Sequence, residues 1–443
     1  MKRVLLGVLG GGLIPFLLIQ FIRPSIPQKP AAAEIHVPPQ VQAVLRKDCY
    51  SCHSDERRLS WFDEVQPAYW LVRKDILDAR APLNFSTIGS KPEAVQKSAL
   101  YEAVAMMQLG AMPLPRYTLL HSDAKVTSKD LETLKKYLSP WSSPIPQATA
   151  GGSEKALPVS TNVNAARPSP NGLPYDGSWH EWKLLAVTDR GDNRQFRMIL
   201  GNDIAFAAAR EGKVHPWPDG ARFAKLAWLQ EQTPEGLIVP GKFWQIELMV
   251  KGAEQYKATD GWGWGRWRDR DLKPYGKDAT VVNECTGCHL PVRGNDYVYT
   301  LPFSPASASG QEVMNNAAVG FPKGLSFNPL SWTPVTLYAD PRTLTISVLF
   351  AQDTGTKGMV TQTAAPANGA EMALVTWTER DDPHWFGARM ADKVVSVEIV
   401  RMSQGKEAGY RSLAADGVTG VAANTMPAER SRFIANLHPV QIP

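Results

Sequence analysis

The chain has 443 residues, of which 44% are hydrophobic and 21% charged; that balance excludes a disordered protein and leaves room for two or three folded domains. The net charge of +5, from 48 Lys and Arg against 43 Asp and Glu, is mild, and no basic block concentrates it, which excludes a nucleic-acid surface. Fourteen tryptophans is a high count; an indole brings a large apolar area and one N–H donor, suited to core packing or to the wall of a cofactor pocket.

Lys2 and Arg3 precede an uncharged run, Val4 to Ile22, closed by Arg23 and Pro24. Residues 1–25 therefore read as an export signal or as a retained anchor in the inner membrane, with the run near the lower length limit for spanning a bilayer. Ala31–Ala33 offers a signal-peptidase site, but it lies well past the apolar run. On either reading the folded part is periplasmic, facing an oxidising compartment where cysteines usually become disulfides.

The expected fold is a multidomain α+β chain. Residues 35–143 read as all-α. Val41, Val44 and Leu45 share a helical face leading into Cys49–His53, and Trp70, Leu71, Ile76 and Leu77 form a second amphipathic pattern. Thr127 caps a third helix with Asp130 in its first turn, and Leu131, Leu134 and Leu138 follow at helical spacing. Residues 144–174, rich in Pro, Ala, Ser and Gly, read as a linker. From Tyr175 short alternating runs bounded by turn residues predict antiparallel strands over 175–304, with one helix in "NDIAFAAAREG" ended by Gly212. Residues 305–443 again read as strands, a β-rich C-terminal extension packed against the preceding domain. No internal repeat is legible beyond one pentapeptide.

That pentapeptide is C-x-x-C-H, and its two copies, Cys49–His53 and Cys285–His289, hold all four cysteines. One shared zinc is disfavoured by the separation, thioredoxin-like chemistry by the absence of a strand–helix context, and structural disulfides by the two-residue gap. C-x-x-C-H is the attachment signal for haem c: Cys49 and Cys52, and Cys285 and Cys288, form thioethers, while His53 and His289 supply axial nitrogens to iron. The expected cofactors are two covalently attached haem c groups. For the first, Met112 in "GAMPLPRY" is the expected sixth ligand, since a Met-Pro loop holds the thioether with little chain freedom. Met106 and Met107 read as helix interior, and His121 is the alternative.

"CYSCHSDE", "PAYWLV", "ARAPLNFS" and "GAMPLPRYTLLHSDAKVTSKD" resemble the small haem-binding domain of exported bacterial proteins over about residues 35–140, and "QFIRP" fits the same family. No Met-Pro loop follows the second pentapeptide, so an open sixth position is expected there. The Gly/Trp stretch with Trp262, Trp264 and Trp267 reads as a loop in which glycines admit a flat cofactor and indoles pack on it. In "PDGARFAKLAWLQE" alternation puts Phe223, Lys225, Ala227 and Leu229 on one face. On that pattern alone Lys225 is equally a lysine snorkelling to solvent.

"LGNDIAFAAAREGKVHPWPDGARFAKLAW", "VPGKFWQIELMVKGAEQYKATDGWGWGRW" and "CTGCHLPVRGNDYVYT" resemble the cytochrome P-460 family, which includes the β-sheet cytochromes c′, over about residues 175–302. The resemblance implies an antiparallel β fold around a five-coordinate haem with His289 as its ligand. It also implies either hydroxylamine oxidation or nitric oxide binding. Oxidising members carry a lysine cross-linked to the porphyrin; Lys225 is the candidate, ahead of Lys251 and Lys242. Oxidation also needs a base, a carboxylate of raised pKa. Glu247, alternating with Gln245 and Met249, is the candidate, against an ordinary surface carboxylate. Phe206 and Phe223 are candidates for a distal apolar lid or plain core residues. The leading expectation is a P-460-like haem that oxidises a small nitrogen compound such as hydroxylamine, with the N-terminal haem relaying electrons to a periplasmic partner; the tethered acceptor raises effective concentration. A nitric oxide-binding protein and a simple dihaem electron carrier are the alternatives, and a homodimer through the β domain is left open.

Overall fold

The computed structural model describes residues 14–138, 166–306, 313–352, 371–403, 406–415 and 427–443. The chain divides into two compact units, Met1–Trp141 and Ser142–Pro443.

The first unit is helical. Residues 4–13 of the apolar run lie outside the described residues; residues 14–19 are helical, and no helix among the described residues is long and apolar enough to cross a membrane. Helix α1 (Pro39–Asp48) starts on a proline, whose missing N–H costs nothing in the first turn, and buries Val41, Val44 and Leu45. It runs through Cys49 into the short α2 (Tyr50–His53). Then come α3 (Ala68–Arg80), α4 (Glu93–Gln108), α5 (Pro115–Thr118) and α6 (Ser128–Leu138). The expected cap of α6 is present: Thr127 Oγ1 accepts from Asp130 N at 3.2 Å and Asp130 Oδ2 accepts from Thr127 N at 2.9 Å, a reciprocal pair that satisfies two helix-end donors.

The apolar face of α3 differs from expectation. Tyr69 and Ile76 are buried, whereas Trp70 and Leu71 are 37% and 48% exposed. The cause is the segment before α1, which lies along this helix. Trp70 Nε1 donates to Ile22 O at 2.9 Å, Tyr69 Oη to Pro24 O at 2.7 Å, and Gln66 Nε2 to Ile22 O at 2.8 Å. Ile26 is buried with Tyr69 and Ile76.

The second unit is antiparallel β. Its strands are β1 (Lys183–Arg190), β2 (Gln195–Gly201), β3 (Arg222–Gln232), β4 (Ile238–Lys251), β5 (Trp262–Arg268) and β6 (Lys273–Pro274). After these come β7 (Thr333–Asp340), β8 (Thr345–Ala351), β9 (Glu371–Asp381), β10 (Ala388–Ser403) and β11 (Lys406–Ala414). The strands of residues 305–443 do not form a sheet of their own. The order is β3-β2-β1-β10-β9-β8-β7-β4, and β4 pairs again with β3, so the sheet closes on itself; β5 and β6 hang from β4, and β11 from β10. The β1–β10 and β4–β7 contacts that close the path pair part of the edges these strands would otherwise expose.

Period-two alternation fills the barrel with Leu184, Phe196, Met198, Leu226, Trp228, Phe243, Ile346, Phe350, Val375 and Trp377. Helix α7 (Asp203–Glu211), capped by Asn202 and ended by Gly212 at φ +72°, lies outside the barrel, as does α8 (Val282–His289) with the second pentapeptide. The C-terminal helix α9 (Pro427–Ala435) follows β11.

Two expectations change here. The end of the linker belongs to this unit: Trp267 Nε1 donates to Arg167 O at 2.9 Å, Asn171 Nδ2 to Trp264 O at 2.8 Å, and Leu173 is core; residues 144–165 lie outside the described residues. The Gly/Trp stretch is strand β5, so Trp262 and Trp264 face α8 while Trp267 faces the barrel interior. Its glycines serve the inner face: a Cβ on Gly263 would strike the Tyr256 ring, and one on Gly265 the Trp267 ring.

Candidate haem sites

In the helical unit, Cys49 sits at the break between α1 and α2 with non-helical backbone, and Cys52 and His53 follow within one turn. His53 Nδ1 donates to Leu83 O at 3.1 Å, and Phe85 N donates back to His53 O at 2.8 Å. A protonated Nδ1 leaves the Nε2 lone pair for a metal. Burial lowers the pKa of His53, partly offset by backbone acceptors, which favours the neutral imidazole, the ligating form. Burial pushes the Cys49 thiol up to about 12 and the Cys52 thiol up to about 11.

Met112 is half-buried in the turn after α4, its N–H on Met106 O at 3.2 Å. Met106 and Met107 lie within α4. His121 is buried, with Nε2 on Asp63 Oδ2 at 2.9 Å and Nδ1 on Tyr117 O at 3.0 Å. Both ring nitrogens are thus engaged in hydrogen bonds, one of which would have to break for His121 to reach iron.

In the β unit the pairing register builds one row across the sheet. Ile199 on β2 lies opposite Lys225 on β3, Lys225 opposite Glu247 on β4, and Glu247 opposite Arg266 on β5. The neighbouring rows add Phe223, Met249 and Trp264 on one side and Arg197, Ala227, Gln245 and Arg268 on the other. Lys225 and Glu247 form an ion pair, Arg266 Nε lies 2.8 Å from Glu247 Oε1, and Gln245 Nε2 donates to Glu247 Oε1 at 2.7 Å.

Burial lowers the pKa of Lys225 to about 8 against the pull of Glu247. Burial alone would raise Glu247, but Lys225 and Arg266 outweigh it and hold the carboxyl well below its usual range. The expected raised pKa of Glu247 is therefore not found while Lys225 carries its charge. Of the other lysines, Lys242 is exposed beside Asp269, and Lys251 is buried on Asp296 at 2.7 Å.

Helix α8 brings the second pentapeptide to this face. Trp264 lies 4.5 Å and Tyr299 5.1 Å from the His289 ring, centroid to centroid. His289 Nδ1 donates to Tyr297 O at 2.7 Å, again leaving Nε2 for a metal. Burial is the main reason its pKa falls to about 4. Phe223 is buried between Trp217 and Trp262, and Phe206 is half-buried against the same cluster.

These residues fit a haem. Arg197, Lys225, Arg266 and Arg268 share a face on which Glu247 is the one carboxylate that the register supplies. Buried Nε atoms of Arg197 and Arg268, and the Trp264 indole N–H, have no hydrogen-bond acceptor. Burial lowers Arg197 to about 9. Uncompensated buried cations are costly, and the two propionates of a haem are anions of the kind this face lacks. Cys285, Cys288 and His289 would hold the group, as Cys49, Cys52 and His53 would in the helical unit.

Both units thus have the makings of a haem cytochrome. Residues 14–140 match the family described as haem-binding domain and residues 177–300 the family described as cytochrome P460. The chain is a haem-binding domain followed by a cytochrome P460 domain, the fusion that its motifs resemble. No curated protein matches it.

Sequence reasoning missed Arg197 and Arg266, which a period-two count along β2 and β5 would have placed beside Lys225. It also missed the Lys251–Asp296 pair. Asp296 accepts from Lys251 Nζ at 2.7 and 2.8 Å and from Trp217 N at 2.8 Å, and it immediately precedes Tyr297, whose carbonyl orients His289. Asp296→Ala is expected to strand the Lys251 cation and lower the stability of the β unit by about 3 kcal/mol, measured by urea denaturation.

Proposed function

We propose that the chain is an exported cytochrome with two haem c groups, in which the β unit oxidises hydroxylamine or a close nitrogen analogue and the helical unit accepts the electrons. The supporting observation is the Lys225–Glu247–Arg266 row beside Cys285–His289. Haem in the β unit would supply an open iron site for the substrate nitrogen, and the protein side chains would handle protons. Lys225 is the proposed group for a covalent link to the porphyrin, a bond that forms with loss of one amine N–H and one porphyrin C–H and with transfer of two electrons to an oxidant such as a peroxide. Its pKa, lowered to about 8, keeps a fraction of the amine neutral and nucleophilic near neutral pH. A linked nitrogen no longer presents a full charge to Glu247; with the largest of its attractions gone and Arg266 and Arg197 remaining, the carboxyl moves upward, in the direction a general base requires.

Peptide mass spectrometry of the purified protein is expected to find Lys225 carrying haem mass together with Cys285 and Cys288, and a red-shifted ferrous Soret band that Lys225→Arg removes. An unmodified Lys225 beside a five-coordinate haem would instead favour nitric oxide binding. Low-spin spectra from both haems without added ligand would favour plain electron transfer.

Met112 is the proposed sixth ligand of the first haem. Met112→Ala is expected to turn that haem high-spin and leave the other unchanged. His121→Ala should leave it low-spin while costing about 1–3 kcal/mol, because the buried Asp63 would keep only its bond from Ser60 N. A low-spin Met112→Ala protein would overturn the assignment.

Retention of the N-terminal segment is proposed as well. Cleavage at Ala31–Ala33 would remove Ile22, Pro24 and Ile26, which Tyr69, Trp70 and Gln66 hold. Intact mass of the membrane-extracted protein is expected to include residues 20–33; a mature N-terminus at Glu34 would refute retention.

A further inference from the structure

The barrel repeats itself. Strand β7 spans Thr333–Asp340 and β1 spans Lys183–Arg190, a shift of 150 at both ends; β8 and β2, Thr345–Ala351 and Gln195–Gly201, are related by the same 150. The β1–β2 ladder breaks at Leu185 and the β7–β8 ladder at Val335, again 150 apart. Each bulged carbonyl accepts a hydrogen bond from a later segment, Leu185 O from Phe303 N at 2.7 Å and Val335 O from Val440 N at 3.0 Å. Trp182 and Trp332 precede the two first strands, and both are buried.

In the next ladder Trp228 on β3 sits between two register shifts opposite β4, and Trp377 on β9 sits between two shifts opposite β10. The closing contacts also correspond: Asp189 on β1 pairs with Arg389 on β10, while Ala339 on β7 pairs with Ile238 on β4. Bulges are positioned features of a fold rather than accidents. Two meanders, β1–β5 and β7–β11, therefore share one pattern of bulges and closing pairs.

The correspondence reaches the site. Three residues before Trp228 stands Lys225, opposite Glu247; three before Trp377 stands Leu374, opposite Glu398. The buried carboxylate is kept and the lysine is not. No cysteine lies in residues 305–443. Helix α9 covers this second face instead: Ile434 is buried with Leu349, Leu374 and Val400, and Arg430 forms two 2.8 Å bonds to Glu398, which also accepts from Tyr410 Oη at 2.6 Å.

The second meander also reaches the first one's site. At the β9–β10 turn, His384 Nδ1 donates to Tyr299 O at 2.7 Å, and Trp385 lies 5.7 Å from the Tyr299 ring. Trp385 is held under Arg190 at 4.3 Å and donates to Asp192 at 3.2 Å. Tyr299 packs on His289 and donates to Cys288 O at 2.7 Å.

We propose that residues 332–443 are a haemless second copy of the haem-holding meander, acting as a built-in partner that closes the barrel and, through His384 and Trp385, positions Tyr299 against His289. The pairing that two chains would otherwise make is supplied within one. The hairpin's role rests on the haem reading above; the duplication rests on register alone.

The test uses the full-length holoprotein. Arg430→Met, remote from the haem, is expected to lower the urea midpoint at which the second haem's spectrum is lost, with partial recovery in Arg430→Lys; an unmoved midpoint overturns the built-in partner. His384→Ala and Trp385→Leu are expected to lower the second haem's midpoint potential and shift its iron–histidine Raman band, with the first haem unchanged and Trp385→Phe close to wild type. No shift in these variants, while His289→Ala alters the second haem, overturns the hairpin's role. No change in His289→Ala either would overturn the haem reading beneath it.

Discussion

A β-strand presents hydrogen-bonding groups along both edges, and the β unit depends on where those edges go. Strand β1 is flanked by β2 and β10, and β4 by β3, β5 and β7. Without the later strands, β1 and the first part of β4 would each expose an unpaired row, a template for association. Closure turns one sheet into a wall with a filled interior and leaves the outer face for chemistry. The face carrying Lys225, Glu247 and Arg266 is held on one side by backbone bonds and on the other by a core of tryptophans and aliphatic side chains, so its charged groups stand in register with little freedom to move apart.

That rigidity bears on charge. Four cations share a surface with one carboxylate, and the polar atoms left without partners belong to the cations, to Trp264 and to the Gln245 side-chain oxygen rather than to Glu247. A protein interior tolerates such an excess only where something anionic completes it. In the second meander the carboxylate at the equivalent position has an arginine of its own chain, held on both oxygens. One face is thus electrostatically closed and the other open to a cofactor.

Much of this was legible in the sequence, for local reasons. The pentapeptides Cys49–His53 and Cys285–His289 stand out by spacing, and each lies within a stretch that matches a haem family. Gly212 and Thr127 mark helix ends because left-handed backbone and orphan N–H groups call for those residues. Alternation grouped Lys225 with Phe223 and Glu247 with Gln245 and Met249, each set on one face of its strand, but could not pair them, since register comes from bulges and turns elsewhere in the ladder. Trp70 and Leu71 were misplaced because their neighbour is a segment about 45 residues earlier. Trp267 was misplaced because a glycine-rich stretch reads as a loop until the rings that need its glycines are seen. The duplication escaped because it lives in backbone irregularities: Trp182 and Trp332, Trp228 and Trp377, and Glu247 and Glu398 are among the few identities that accompany it. His384 and Tyr299 are 85 residues apart, with no motif linking them.

In both pentapeptides the acceptor that orients the histidine is a main-chain carbonyl, Leu83 O in one and Tyr297 O in the other. Side-chain replacement at position 83 or 297 leaves that oxygen in place. The tautomer of each imidazole is therefore written into the path of the backbone, where drift in the gene reaches it only by moving the loop. A carbonyl also carries no full charge, so it gives the imidazole less anionic character than a carboxylate would, a property that accumulated point substitutions would find hard to erode.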